Sequence, residues 1–127
     1  DGYICACMDA RRNQVYNALF LAQKGALTEV SEDRAIALAD LKTELEHLNG
    51  PIYLVGDGAA LTHRSLSDLE LILPPEWKQH QRAVGVGLAA LAAIARGETG
   101  DGAALTPNYL RLSQAERERL EKENKGE

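Results

Sequence analysis

The first third of the chain alternates short apolar runs with polar turns, a pattern typical of β-strands joined as hairpins. Residues 3–8 form an uninterrupted apolar run, which predicts a central strand covered on both faces. Residues 15–21 predict a second strand that ends at Lys24-Gly25. A third strand is predicted over 27–31, or as far as residue 36. Because this strand carries several charged residues, we expect it at an edge of the sheet.

Beyond residue 36 the apolar spacing becomes helical. Leucines at 38, 41, 45 and 48 recur every three or four positions, which predicts a helix packed by one face and ended by Asn49-Gly50-Pro51. We expect a strand over 52–55, a glycine turn leading into a short helix up to residue 64, and a fifth strand over 69–73. The main helix is predicted over 79–96. Its apolar residues cover much of its circumference, so we expect it to be largely buried.

The elements follow the order βββαβαβα. This order predicts an α/β domain in which a mixed five-stranded sheet carries helices on its faces, the layout of ribonuclease H-like domains. Residues 107–111 are expected to be extended. A charged C-terminal helix should follow, capped by Ser113 with Glu116 in the capping-box position.

Composition narrows the classes of partner. The 127 residues suit one domain. The net charge of −5 argues against nucleic acid held by general electrostatics. The nearly uncharged apolar stretch 83–95 is shorter than the roughly 20 residues of a membrane span, so we expect a soluble protein.

The start at Asp1, without an initiator Met or targeting segment, suggests a piece of a larger protein. Cys5 and Cys7 are poorly spaced for a disulfide and favour the cytoplasm.

Gly56-Asp57-Gly58 is the strongest local signal for a binding site. The two glycines follow a predicted strand and open a predicted helix, so backbone N–H groups there could approach a phosphate or a sugar. The pattern lacks the Lys of a P-loop and the third glycine of a dinucleotide fingerprint. A plain turn is the alternative, since Gly and Asp are common turn residues.

Other polar residues do not form a catalytic pattern in the sequence. A ribonuclease H-like nuclease would need several convergent carboxylates, and only Asp9 and Asp57 lie at suitable strand ends. His47, His63 and His80 are too far apart along the chain for a zinc pattern. We therefore assign no catalytic residue and no metal ligand.

Three stretches in a fixed order carry a family resemblance: Met8-Asp9-Ala10-Arg11-Arg12-Asn13-Gln14-Val15-Tyr16, then Val55-Gly56-Asp57-Gly58-Ala59, then Pro107-Asn108-Tyr109-Leu110-Arg111-Leu112-Ser113-Gln114-Ala115-Glu116. Together they resemble the second half of the TsaB (YeaZ) family, which belongs to the actin-like ATPase superfamily and was once labelled glycoprotease. The resemblance implies that residues 1–112 are the second ribonuclease H-like subdomain, that 113–127 form a charged C-terminal helix or tail, and that the N-terminal subdomain is absent from this chain.

The resemblance also implies a role. The family serves bacterial synthesis of N6-threonylcarbamoyladenosine in tRNAs, as a non-catalytic partner of TsaD, which holds the metal and nucleotide, and of the ATPase TsaE. It implies contact with tRNA only through that complex, allows a homodimer, and requires no cofactor. Gly56, Asp57 and Gly58 match the place where nucleotide-binding relatives approach adenosine, so they are read as a remnant site for ATP or ADP. Since family contacts with TsaD run mainly through the absent subdomain, we expect this piece to fold alone but bind TsaD poorly. A glycoprotease-type hydrolase and a free-standing nucleotide-binding module stay open as alternatives.

Overall fold

The computed structural model describes residues 1–112, 116, 119, 122 and 123. The chain begins with three strands, β1 Gly2–Asp9, β2 Gln14–Gln23 and β3 Ala26–Ala37. It continues with α1 Leu38–Glu46, β4 Ile52–Val55, α2 Ala59–Ser65, β5 Leu71–Ile72, α3 Glu76–Gln79 and α4 Ala83–Ala95, followed by a 3-10 turn at Gly102–Ala104. The predicted order is thus confirmed, with a short helix, α3, that was not predicted before the last helix. The predicted cap Ser113 and most of the terminal helix lie outside the described residues.

The strands form one mixed sheet in the order β3-β2-β1-β4-β5. β1 pairs antiparallel with β2 and parallel with β4, so it is central, as predicted. β3 lies at an edge, as its charged residues predicted. The β2–β3 ladder is irregular near Leu19, whose backbone N–H donates to Ser31 Oγ at 3.0 Å.

One face of the sheet carries the core. Leu38, Leu41 and Leu45 project from α1 at the predicted helical spacing and are buried. They belong to one apolar cluster with residues of the sheet and of the α2 region, namely Cys5, Cys7, Val15, Leu19, Ile52, Leu54, Ala59, Leu66 and Leu71. Burying a leucine side chain fully contributes about 2 kcal/mol. The leucine pattern therefore fixes α1 on this face.

The opposite face of the sheet is largely open, which corrects the prediction for residues 3–8. In β1, Cys5 and Cys7 are buried in the core, whereas Ile4 and Ala6 are only half-buried and Met8 is 41% exposed. Side chains alternate between the faces of a strand. Since α1 and α2 both contribute to the core on one face, the alternate positions of β1 lack an equivalent helical layer.

The largest departure from prediction concerns the main helix. The predicted segment 79–96 is divided by extended backbone at His80 and Arg82, so α4 begins only at Ala83. We expected this helix to be largely buried, and that was wrong: its large apolar side chains are 57–70% exposed. In the described part of the chain, no other element packs extensively against it. No helix among the described residues is long and apolar enough to span a membrane.

Candidate functional site

The carboxyl ends of β1 and β4 bring two of the predicted motifs to one edge of the sheet. The two strands are parallel, with Ala6 opposite Val55. The chain therefore leaves the sheet at adjacent points, through residues 10–13 after β1 and through residues 56–58 after β4. Ligands of open α/β sheets bind at such carboxyl ends, so this edge is the place to look for a site.

Gly56 and Gly58 fit the turn closely against β1. Gly56 has φ +96°, and a Cβ built there would lie 2.2 Å from the Cys7 carbonyl oxygen. Its N–H donates to the Gln79 carbonyl at 2.6 Å, and the Gly58 N–H donates to the Cys7 carbonyl at 2.9 Å. These two N–H groups therefore bond within the chain, while Asp57 is exposed between them. The close packing of the turn against β1 explains why glycine is required at both positions. Nucleotide binding by Gly56, Asp57 and Gly58 stays a prediction.

The turn after β1 has an unusual backbone. Arg11, Arg12 and Asn13 have φ values of +64°, +52° and +57°. This left-handed region costs most residues about 1–2 kcal/mol each, although Asn tolerates it better. Asp9 stabilises the turn, since its Oδ1 accepts from the Arg11 N–H at 2.7 Å and its Oδ2 lies 3.5 Å from the Arg11 guanidinium. Strained turns of this kind cluster at functional sites.

The third motif reaches the same turn from the far end of the chain. The Arg111 guanidinium donates to the Ala10 carbonyl, joining residues 101 positions apart. Between the two motifs lies a cleft of about 770 Å³, which we call the Arg–Tyr cleft. It is lined by Ala10, Arg11, Arg12, Tyr16, Tyr109, Arg111, Leu112 and Glu116. The first and third motifs of the family resemblance thus form opposite walls of one cleft.

A second cleft continues from Tyr16 along the open face of the sheet. Its volume is about 510 Å³, and its lining is mainly apolar, with Met8, Ala18, Phe20 and Val55 among the residues. Gly56 and the segment 78–81 close one end of it. The predicted glycine turn therefore borders this apolar cleft, while the Arg–Tyr cleft lies on the other side of Tyr16.

The two cysteines are buried in the core, and Cys7 also borders the apolar cleft beside Asn17. Their sulfurs are 3.6 Å apart, well beyond the roughly 2.05 Å of a disulfide bond. The hydrogen bond with Cys7, together with burial, raises the pKa of the Cys5 thiol, so Cys5 keeps its proton at neutral pH.

Buried Asn17 donates to the Ala6 carbonyl at 2.9 Å, and its Oδ1 accepts from Arg34 at 3.2 Å. Asn17 thus links three strands through their polar groups.

The three histidines are on different elements. His47 caps α1 and its Nδ1 lies 2.6 Å from the Thr43 carbonyl, His63 is on α2, and His80 follows α3. Within the described residues, no group of three or more His, Cys, Asp or Glu side chains is placed to hold a metal ion.

The contact between the first and third motifs is a tertiary feature that their positions in the sequence did not predict. Tyr109 and Arg111 were predicted to be in an extended segment, and both, like Arg12, belong to stretches of the family resemblance, but no contact between these stretches was predicted. Residues of one family pattern that lie far apart in sequence often lie together in the fold. The common family pattern of Arg12, Tyr109 and Arg111 was therefore the feature of the sequence that could have predicted the cleft.

No protein-family model matches the chain. A curated relative is the tRNA threonylcarbamoyladenosine biosynthesis protein TsaB of Bacillus subtilis (strain 168), which is 30% identical over 125 residues, 95% of this chain and 52% of that protein. Two solved structures from Pseudomonas aeruginosa share the fold. One is an uncharacterized protein with similarity to peptidase YEAZ, with a TM-score of 0.57 and 21% identity over 86% of this chain and 49% of that chain. The other is YeaZ, with a TM-score of 0.57 and 20% identity over 84% and 47%.

These matches confirm the predicted fold and the predicted resemblance. They extend along most of this chain, whereas the chain spans about half the length of the proteins it matches.

Proposed function

Since this chain is related to TsaB in sequence and to YeaZ in fold, we propose that it is the C-terminal subdomain, residues 1–112 with the tail 113–127, of a TsaB-type subunit. The subunit would serve the biosynthesis of N6-threonylcarbamoyladenosine in tRNA. The observation that carries the proposal is the 30% identity over 95% of the chain. The Arg–Tyr cleft adds to it, because the two most specific motifs of the resemblance meet there.

The proposed role is non-catalytic, in the cytoplasm, alongside TsaD and TsaE, with tRNA reached through their complex. The chemistry of the described side chains fits a binding role better than a reaction. The candidate nucleophiles Cys5 and Cys7 are 0% and 1% exposed, and Cys5 holds its proton. By contrast, the Arg–Tyr cleft presents arginines and tyrosines, which are the residue types enriched in protein interfaces. We therefore propose the cleft as the contact surface of this subdomain within the complex.

A reconstitution tests the role. TsaD and TsaE are combined either with Bacillus subtilis TsaB or with a hybrid of that protein in which this chain replaces the half it matches. The threonylcarbamoyladenosine content of tRNA is then measured by mass spectrometry. We expect the hybrid to support the modification and the chain alone to give little. A folded hybrid that leaves tRNA unmodified while TsaB is active would contradict the proposal.

The cleft is tested in the same assay with a matched pair of charge reversals. Arg12→Glu changes a lining residue of the Arg–Tyr cleft, whereas Arg64→Glu changes an exposed arginine in the last turn of α2. We expect Arg12→Glu to reduce the modification at least about tenfold, which corresponds to 1.4 kcal/mol of lost contact, and Arg64→Glu to leave it nearly unchanged. Equal effects of the two changes would remove the cleft from the proposal.

Nucleotide binding at Gly56, Asp57 and Gly58 is a separate proposal, supported by the position of the turn beside the apolar cleft. Isothermal calorimetry with ATP and ADP detects affinities down to about millimolar, or roughly 4 kcal/mol. Asp57→Asn is the test variant, because Asp57 is exposed and its change leaves both glycines in place. Heat of binding that survives Asp57→Asn, or no heat at all, counts against a site at this turn.

A further inference from the structure

The Arg–Tyr cleft contains more hydrogen-bond donors than acceptors. Arg12 and Arg111 line it together with Tyr16 and Tyr109. Each guanidinium carries five N–H donors and no acceptor, and each tyrosine adds an O–H group that can donate. Among the described residues of the lining, Glu116 has the only acidic side chain. A ligand of this cleft should therefore be a hydrogen-bond acceptor, and a negative charge on it would strengthen the bonds.

Two arginines of the cleft keep free donors. Arg12 is exposed and makes no hydrogen bond or ion pair with another described residue. Arg111 is half-buried, and the Ala10 carbonyl is its one hydrogen-bond partner in the described part of the chain. Arg11, by contrast, is already paired with Asp9 at 3.5 Å. Since a partly desolvated charge is stabilised by a partner of opposite charge, the free N–H groups of the first two arginines are suited to an anionic ligand.

The tyrosines and Leu112 give the cleft an apolar part beside these charges. Tyr109 is 84% exposed and Leu112 is 49% exposed, whereas Tyr16 is half-buried. Neither tyrosine hydroxyl has a hydrogen-bond partner among the described residues. Tyrosine and arginine are the residue types enriched at the energetic centres of protein interfaces. The cleft volume of about 770 Å³ is in the range of sites that enclose drug-sized ligands, which is enough for a short stretch of peptide.

The positive charge of this region is confined to the cleft. Glu116 belongs to its lining, and Asp33 lines the neighbouring apolar cleft, which shares Tyr16 with it. The whole chain has a net charge of −5. A nucleic-acid strand carries a phosphate at each nucleotide and binds along a continuous basic groove, which these carboxylates interrupt. A peptide with one or two acidic side chains matches the charge of the free arginines better.

We propose that the Arg–Tyr cleft binds a short acidic segment of a partner protein, in which Asp or Glu side chains are flanked by an apolar residue. This inference rests on the proposed function, which makes the cleft a contact surface, and it adds the chemistry of the partner. The acidic side chains pair with the guanidinium groups of Arg12 and Arg111, whose planar forks match carboxylates. The apolar residue packs against the ring of Tyr109 and against Leu112.

Peptide binding tests this inference independently of tRNA modification. The probe is a short peptide, blocked at both ends, in which Glu alternates with Leu, and the matched control peptide has Gln in place of each Glu. Binding to the folded chain is followed by NMR at peptide concentrations up to about millimolar. We expect the acidic peptide to shift the resonances of Tyr16 and Tyr109. It should bind at least about tenfold more tightly than the Gln peptide, because hydrogen bonds between charged groups are roughly twice as strong as neutral ones.

Variants of the chain assign the binding to the arginines. Arg12→Gln and Arg111→Gln should each weaken binding of the acidic peptide at least about fivefold. Arg111→Lys should restore only part of the affinity, because lysine keeps the charge but lacks the planar fork. Arg64→Gln is the matched control on α2, outside the cleft, and should change the affinity by less than about twofold. Circular dichroism verifies that each variant is folded, and Arg12→Gln carries the test if the Arg111 variants are not.

Three results would overturn the proposal. One is equal binding of the Glu and Gln peptides, or no shift at the cleft with either. Another is an Arg12→Gln variant that loses no more affinity than Arg64→Gln does. The third is a single-stranded oligonucleotide of the same length that binds the cleft more tightly than the acidic peptide, which would assign the cleft to nucleic acid. A hybrid subunit that leaves tRNA unmodified although the chain binds the acidic peptide would instead contradict only the proposed function.

Discussion

The turn after β4 allows a sharp test of why its glycines are there. We predict that Gly56→Ala destabilises the chain by about 2–5 kcal/mol. Two costs combine at this position. Alanine at φ +96° is strained by about 1–2 kcal/mol. In addition, its Cβ would lie 2.2 Å from the Cys7 carbonyl oxygen, so β1 or the turn must shift, at a typical overpacking cost of about 1–3 kcal/mol.

Two other glycines separate these costs. Gly25 has φ +79° and no atom within 4 Å of a built Cβ, so Gly25→Ala should show the strain alone, about 1–2 kcal/mol. Gly58 has φ −84°, but its Cβ would meet the Met8 carbonyl carbon at 2.9 Å. Gly58→Ala should therefore show the contact cost alone, about 1–3 kcal/mol.

Urea unfolding followed by circular dichroism measures the series. With a slope of about 2 kcal/mol/M for a chain of this size, Gly56→Ala should lower the midpoint by about 1–2.5 M and Gly25→Ala by about 0.5–1 M. Equal midpoints for Gly56→Ala and Gly25→Ala would refute the reasoning, because only the close approach to Cys7 distinguishes them. A Gly56→Ala protein that does not fold leaves the test to Gly58→Ala, which must then be clearly destabilised.

Three further predictions concern the core and the surface. Asn17→Ala should cost about 1–3 kcal/mol in urea unfolding, because it removes the buried side chain that donates to the Ala6 carbonyl; a loss below about 0.5 kcal/mol would contradict this. Cys5 and Cys7 should react with a thiol reagent only at the rate of global unfolding, since both are buried; fast labelling of the folded chain would show that the core opens locally. The hydrogen bond from Lys42 lowers the pKa of Asp68, so its stabilisation is present above the ordinary pKa of Asp near 4 and is lost as pH falls through the lowered pKa. Asp68→Asn should thus destabilise the chain at pH 7 and have little effect near pH 2, and an equal effect at both would refute the assignment.

Much of the fold follows from local patterns. The leucines of α1 repeat at helical spacing, and one face of that helix is buried as expected. The charged residues of β3 predicted its edge position, and Lys24-Gly25 predicted the turn before it. These features are encoded locally, because the period of apolar positions and the conformational range of Gly decide them within a few residues.

The candidate site could be predicted only in part. Gly56 and Gly58 were recognised from the sequence as special backbone positions, but their close approach to Cys7 was not. The contact between Arg111 and Ala10 joins segments that no local pattern connects. Such contacts depend on the parallel pairing of β1 with β4 and on the path of the chain after α4, which are properties of the whole sheet.

By itself, the sequence determined which surfaces are apolar, and the tertiary structure decided which of them are covered. Residues 3–8 and 83–95 are apolar enough to require burial on more than one side, because water is excluded from such surfaces in a stable protein. A pattern of apolar positions predicts that these residues need to be buried, but it does not predict which element packs against them. Here α1 and α2 cover one face of the sheet, whereas the other face and α4 have no equivalent layer among the described residues. Which apolar surfaces are covered therefore depends on the packing of the elements and not on the pattern of apolar positions alone.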